Sequence, residues 1–146
     1  MNDTSEFPRD KYEVLKLKTT FGNEKDLDNL AKNDLNASTI VHKKVFFKII
    51  IPNYNNMAYI KRCLDSILCQ TFQDFVVIIV DDLSNDGSDK FCEMYARKFP
   101  DKIVFKRMNS KSYAGKCRNA ALDYGIDCEY VWAIDGDDYI LKRSAL

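Results

Sequence analysis

Phe75-Val76-Val77-Ile78-Ile79-Val80, followed at once by Asp81-Asp82, is the stretch that decides the fold. Six apolar residues in a row show no alternation between an inner and an outer face. A strand built from them is buried on both sides, which suits a parallel sheet covered by helices rather than a two-faced antiparallel one. The two carboxylates stop it sharply, because unpaired charges do not follow apolar residues into a dry interior.

The same grammar runs outward from this stretch. Val45 to Ile51 is another continuous run, interrupted only by Lys48 and ended by Pro52. Ile60, Leu64, Ile67 and Leu68 then recur at helical spacing. Downstream, Asp86-Gly87-Ser88 opens a helix with Phe91, Tyr95 and Phe99 on its inner face and Pro100 just beyond it. Ile103 to Phe105 reads as a short strand. Gly115-Lys116-Cys117-Arg118-Asn119 starts a further helix, with Cys117, Ala121 and Tyr124 as a small-residue face and Gly125 closing it. Tyr130 to Ile134 is a fourth strand. Strands alternating with helices at this spacing predict βαβ units: an α/β fold with a Rossmann-like, mostly parallel sheet flanked by helices. Residues 1–44 are different in kind, rich in Lys, Asp, Glu and Asn. Short apolar faces at Tyr12, Leu15 and Thr19, and at Leu27, Leu30 and Ala31, make this a polar, helical or partly disordered extension ahead of a folded part at 45–146.

Composition removes several classes of function. The 22 basic and 22 acidic side chains cancel, so no global field points to nucleic acid or an anionic membrane. Hydrophobic content of 46% argues against disorder for most of the chain. No apolar run approaches the ~20 residues of a membrane span, and Met1 to Lys11 lacks the pattern of a secretory signal. Five cysteines (Cys63, Cys69, Cys92, Cys117 and Cys128) show no Cys-x-x-Cys spacing and read as small hydrophobes in a reduced compartment, so a cytoplasmic setting is expected. His42 precedes the first strand and reads as a surface residue.

In parallel sheets, ligands bind beyond the carboxyl ends of the strands. Asn53-Tyr54-Asn55, Asp81-Asp82 and Asp135-Gly136-Asp137-Asp138 each follow a strand and are expected to converge on one edge. Asp82 is either a turn and cap residue or an acceptor for a ligand N–H such as the imide of uracil. Tyr54 either stacks on a base or lines the core rim. Arg118, and with it Lys116, opposes the dipole at a helix start unless a phosphate or base lies nearby, although a solvated arginine fits equally. The carboxylates of the last cluster need a hard divalent ion, Mn²⁺ or Mg²⁺, and such ions usually bring a phosphate. A calcium loop fails, because its fifth and twelfth positions hold Tyr139 and Leu146. The glycine fingerprint of a nicotinamide enzyme is missing after the first strand, and no Gly-Lys-[Ser/Thr] phosphate loop occurs.

Five ordered motifs carry a family resemblance. They are Ile49-Ile50-Ile51-Pro52-Asn53-Tyr54-Asn55, the segment Cys63 to Phe72, the segment Ile78 to Ser88, Arg118-Asn119-Ala120-Ala121-Leu122, and Ile134-Asp135-Gly136-Asp137-Asp138. Over residues 45 to 141 the chain resembles the nucleotide-sugar-binding half of a family 2 glycosyltransferase with the GT-A fold. Departures are Leu83, where the family usually has glycine, and Lys142-Arg143, where proline is usual. The resemblance implies a metal-dependent transferase that uses a UDP-sugar. Pro52 and Tyr54 would line the base pocket, Asp82 would bind the base, Arg118 would hold the nucleotide and Asp135 would sit near the ribose. Asp137 would ligate Mn²⁺ or Mg²⁺, with Asp135 and Asp138 as further metal candidates. The family's general base and acceptor platform are expected beyond Leu146, so no catalytic residue is assigned within the chain, and the acceptor stays unnamed. The other reading is a binding module that holds a nucleotide or nucleotide sugar without transferring it. An exposed sheet edge would favour homo-oligomers.

Overall fold

A computed structural model describes residues 44–142 and 144–146. The extension predicted over 1–44 lies outside the described residues apart from Lys44, as does Arg143. Four strands form one sheet: β1 (Val45–Asn53), β2 (Phe75–Asp81), β3 (Ile103–Arg107) and β4 (Cys128–Ala133). Three helices connect them in turn: α1 (Ile60–Leu68), α2 (Ser88–Lys98) and α3 (Tyr113–Leu122). Every pairing is parallel and the order across the sheet is β3-β2-β1-β4. The predicted Rossmann-like α/β architecture is therefore the one adopted.

The apolar runs are continuous because the sheet buries both faces. Every residue of β2 is buried. On one face Ile49, Ile51, Val77 and Ile79 meet Ile60, Cys63, Leu64 and Ile67 of α1 and Cys92 and Tyr95 of α2. On the other, Ile50, Val76, Ile78 and Val80 meet Cys117 and Ala121 of α3. The chain thus runs outward from β1 through β2 to β3 under two helices. It then returns over the opposite face through α3 to place β4 beside β1. The reversal leaves a crevice between the carboxyl ends of β1 and β4, the position where such sheets take their ligands.

Lys48, the one charge inside a buried run, is only 5% exposed. Its Nζ donates to the carbonyls of Leu122 (3.1 Å) and Tyr124 (3.0 Å). It therefore satisfies orphan acceptors at the end of α3 while its stem packs among apolar neighbours. The sequence motif from Cys63 to Phe72 has a comparable task. Ser66 Oγ accepts the Ile140 N–H at 3.0 Å, and Gln70 donates to Lys142 O and accepts from Ala145 and Leu146 N–H. These bonds fasten the chain after the acidic cluster to the end of α1.

Element boundaries shift for physical reasons. β1 continues past Ile51 through Pro52 to Asn53, pairing with β2 up to Asp81. Pairing with β4 has already ended at Ile50 and Ala133, so the missing Pro52 N–H costs no ladder bond on that side. α3 begins at Tyr113, two residues ahead of Gly115. Arg118 consequently falls in the second turn, not the first, and the helix-dipole argument applies only to Lys116. All five cysteines are free. Among the described residues no helix is long and apolar enough to cross a membrane.

Candidate functional site

Alternation along β2 sends its two terminal carboxylates to opposite faces. Asp81 turns toward α2 and is fully buried. Its Oδ1 accepts from Asn53 Nδ2 (2.8 Å) and Ser84 Oγ (2.5 Å), and its Oδ2 from the Ser84 N–H (3.0 Å). Asp81, not Asp82, is therefore the carboxylate that builds the turn. Leu83 lies inside that turn at φ +62°, in the left-handed region that favours glycine, so the departure from the family pattern is a conformational one.

Asp82 turns toward α3. Its oxygens accept the backbone N–H groups of Ser112 (2.6 Å) and Tyr113 (2.9 Å), and Lys111 Nζ stands 3.0 Å away. The residue just past β2 thus caps a helix about thirty positions on, satisfying N–H groups that lack an intrahelical partner. Burial pushes the Asp82 carboxyl up, but the Lys111 ammonium and the two N–H groups together outweigh it and hold it below the usual carboxylate range. The cap expected as the plain alternative for Asp82 exists, at the start of a different helix. One lone pair on the oxygen facing Ser112 is left for a ligand, since that oxygen carries a single hydrogen bond.

A cleft of about 200 Å³ opens at the switch point, and Pro52, Tyr54, Asp82, Arg118, Asp135 and Asp137 all line it. Six of the seven residues singled out in the sequence are thereby brought together. The seventh, Asp138, stands outside the lining; its backbone N–H closes a turn on Asp135 O at 3.0 Å. Arg118 reaches from α3 across the cleft to Asp135, with Nη2 2.5 Å from Oδ1. Both are substantially exposed, so this pair holds the cleft walls in place but adds only about 0.2–1 kcal/mol to stability. Asp137 and Asp138 are exposed as well. Their charge is felt at Cys63, whose thiol is pushed up to about 12 by burial first and then by Asp138, Asp137 and Asp135.

Several cleft residues were given no role of their own, although Asn53 and Gly136 lie within clusters expected at this edge. Asn53, Asn56, Ala114, Cys117 and Gly136 also line it. Gly136 packs closely: a Cβ there would lie 2.7 Å from Asn56 Nδ2, whose side chain would have to shift. Asn53 Oδ1 is buried with no hydrogen-bond partner among the described residues. Its amide cannot turn round, because the Nδ2 group faces the acceptor-only carboxylate of Asp81. The signal for both was present in the sequence, as a polar residue one step past a proline and a glycine between two acids.

Known proteins bear on this geometry at two levels. The fold is similar to that of a solved structure from S. aureus, TarS residues 1–349 in complex with UDP-GlcNAc. The TM-score is 0.59 at 35% identity, over 65% of this chain and 27% of that one. The glycosyl transferase family 2 model matches residues 48–145, more than half of the chain, and the chain belongs to that family. Among curated relatives, poly(ribitol-phosphate) beta-glucosyltransferase of Bacillus spizizenii is 37% identical over 100 residues, 67% of this chain. Poly(ribitol-phosphate) beta-N-acetylglucosaminyltransferase TarS of Staphylococcus aureus is 38% identical over 100 residues. The chain spans only 16% and 17% of the length of these two relatives.

Proposed function

We propose that the cleft binds the nucleotide part of a UDP-sugar, and that the chain is the donor-binding portion of a glycosyltransferase. The observation that carries this is the meeting of Tyr54, Asp82, Arg118, Asp135 and Asp137 in one cleft at the sheet's switch point. Support for uridine comes from the UDP-GlcNAc complex of the TarS relative. In this reading Pro52 and Tyr54 border the base, and Asp82 accepts its imide proton. Arg118 and Asp135 flank the ribose and the first phosphate.

The acidic cluster fits Mn²⁺ or Mg²⁺. Among the described residues no three Asp, Glu, His or Cys side chains converge on one point, so no all-protein cage exists. Mg²⁺-type sites seldom use one; they take one or two carboxylates and complete the shell with water and phosphate oxygens. Asp137, which is exposed, and Asp135 supply those carboxylates, with Asp138 adjacent. A bound ion would neutralise charge on the departing nucleoside diphosphate. The protein's own share is to orient the diphosphate and keep donor groups aimed where that charge develops.

Calorimetric titration with UDP tests this. Heat is expected with Mn²⁺ and not with chelator, and Asp137→Ala is expected to remove the metal-dependent part. Equal heat in the two conditions would sink the site assignment.

A second reading, binding without transfer by these residues alone, is favoured by one feature. Asp82, Asp135 and Asp137 are the only carboxylates lining the cleft among the described residues, and each already has a binding role. Sugar transfer by the 146-residue chain would overturn it. Two coarser proposals accompany the function. Five free cysteines support a reducing, cytoplasmic compartment. Among the described residues β4 pairs only with β1 and exposes Tyr130 (58%) and Val131 (46%), which supports self-association. Sedimentation showing only monomer at high concentration would remove that proposal.

A further inference from the structure

Lys111 stands at the rim of the cleft and was absorbed by none of the motifs. Its ammonium has three N–H donors and no acceptor. They are directed to Asp82 Oδ2 at 3.0 Å, to the Asp82 carbonyl at 3.3 Å, and over the Tyr54 ring at 2.8 Å from its centroid. Lys111 thus touches both groups expected to receive the base. The loop that carries it is fixed independently, through Ser112 and Tyr113 N–H on the Asp82 carboxylate, with Tyr113 at φ +62°. The side chain is 37% exposed, so it can exchange partners without unfolding anything.

We propose that Lys111 selects the base: it keeps Asp82 an acceptor only and sets an ammonium donor beside it, so that the pair takes a carbonyl–imide edge and rejects an amino–imine edge. This rests on the donor-site reading above and deepens it. The Asp82 side chain is 4% exposed, and a carboxylate so buried stays ionised only while positive charge and N–H groups face it. Ionised, it can accept from the uracil N3–H but offers nothing to the bare N3 of cytosine. Lys111 completes the discrimination. Its weakest bond, to the Asp82 carbonyl at 3.3 Å, is the one to be exchanged for a base carbonyl oxygen. In cytosine an amino group stands where uracil carries O4, and it would face the ammonium donor to donor. Buried polar groups left unpaired in this way discriminate far better than a shape difference of a few atoms.

Lys111 also occupies the Tyr54 ring face. A base stacking on Tyr54 either takes the other face or displaces the ammonium toward its own carbonyl. In both cases Lys111 ends beside the base edge.

The test is a calorimetric comparison of UDP and CDP, with Mn²⁺ present, on the full chain and on Lys111→Met and Lys111→Arg. Wild type is expected to prefer UDP. Lys111→Met is expected to weaken UDP about tenfold and to bring the UDP:CDP ratio toward one, whereas Lys111→Arg keeps the preference because it keeps the charge. Circular dichroism matching wild type shows that the Met variant has folded; if it has not, Lys111→Gln takes its place. A Met or Gln variant that retains the wild-type UDP:CDP ratio would overturn the role of Lys111 while leaving the donor site standing. Absence of UDP binding by the wild type would instead overturn the donor reading, and this proposal with it.

Discussion

Two strands of this sheet end in neighbouring carboxylates, and the two endings are built in opposite ways. After β2, Asp81 and Asp82 are buried and their oxygens are engaged by Asn53, Ser84, Ser112, Tyr113 and Lys111. After β4, Asp135, Asp137 and Asp138 are exposed, and among the described residues only Asp135 has an ion pair, with Arg118. The first pair is part of the frame. The second is charge held in reserve, cheap to keep because water solvates it. Identical side chains at equivalent strand ends thus do different work, and the difference is made by how many N–H groups the surrounding loops aim at them.

The largest effect that would break this comparison belongs to Asp81. Asp81→Ala removes the acceptor for both donors of Ser84, leaving those buried groups unpaired, and the nearest of three acceptors around Asn53 Nδ2. A loss of about 3 kcal/mol or more is expected in urea unfolding, a large part of a small domain's total stability. A midpoint equal to wild type would show that the β2 ending is not structural.

Asp82 is next. Its folded-state pKa is depressed, so its contribution to stability is present above the ordinary carboxylate pKa and is lost as pH falls through the folded value. Asp82→Asn is therefore expected to be less stable near neutrality and to flatten the acid side of the stability profile below about pH 4. An acid limb as steep as that of wild type would contradict the assignment. Smallest of all is Asp137→Ala, which should leave thermal stability within about 0.5 kcal/mol of wild type while abolishing metal-dependent binding of UDP. A stability change as large as that of Asp81→Ala would erase the distinction between frame and reserve.

Much of this was legible in the sequence. The runs at 45–51, broken only by Lys48, and at 75–80 read as doubly buried strands; β2 is buried throughout and β1 from Lys48 to Ile51, whereas Phe46 near its start is exposed. Strand ends then located the cleft without reference to any side-chain contact. Less legible was the division of labour within Asp81-Asp82, because adjacent residues look alike until the helix on each face is known. Lys48 could not be read at all, since its acceptors, Leu122 and Tyr124, lie more than seventy positions away in the chain. Lys111 was missed for the same reason: a lysine in a Ser- and Asn-containing loop looks solvated until Tyr54 and Asp82 arrive beside it.

The fastening of the chain around the acidic cluster has a mechanical consequence. On one side the Ile134 N–H bonds to Ile50 O at 3.0 Å, and on the other the Ile140 N–H bonds to Ser66 Oγ at 3.0 Å. Residues 135–139 therefore run like a short bridge from β1 at one bank to α1 at the other, with Asp135 also held by Arg118 and Cys63 and the Tyr139 ring covered by Arg62. Neutralising their charge can flex the span but cannot move its ends. A pull on the span is therefore passed to α3 through Arg118 and to α1 through Cys63 and Ser66.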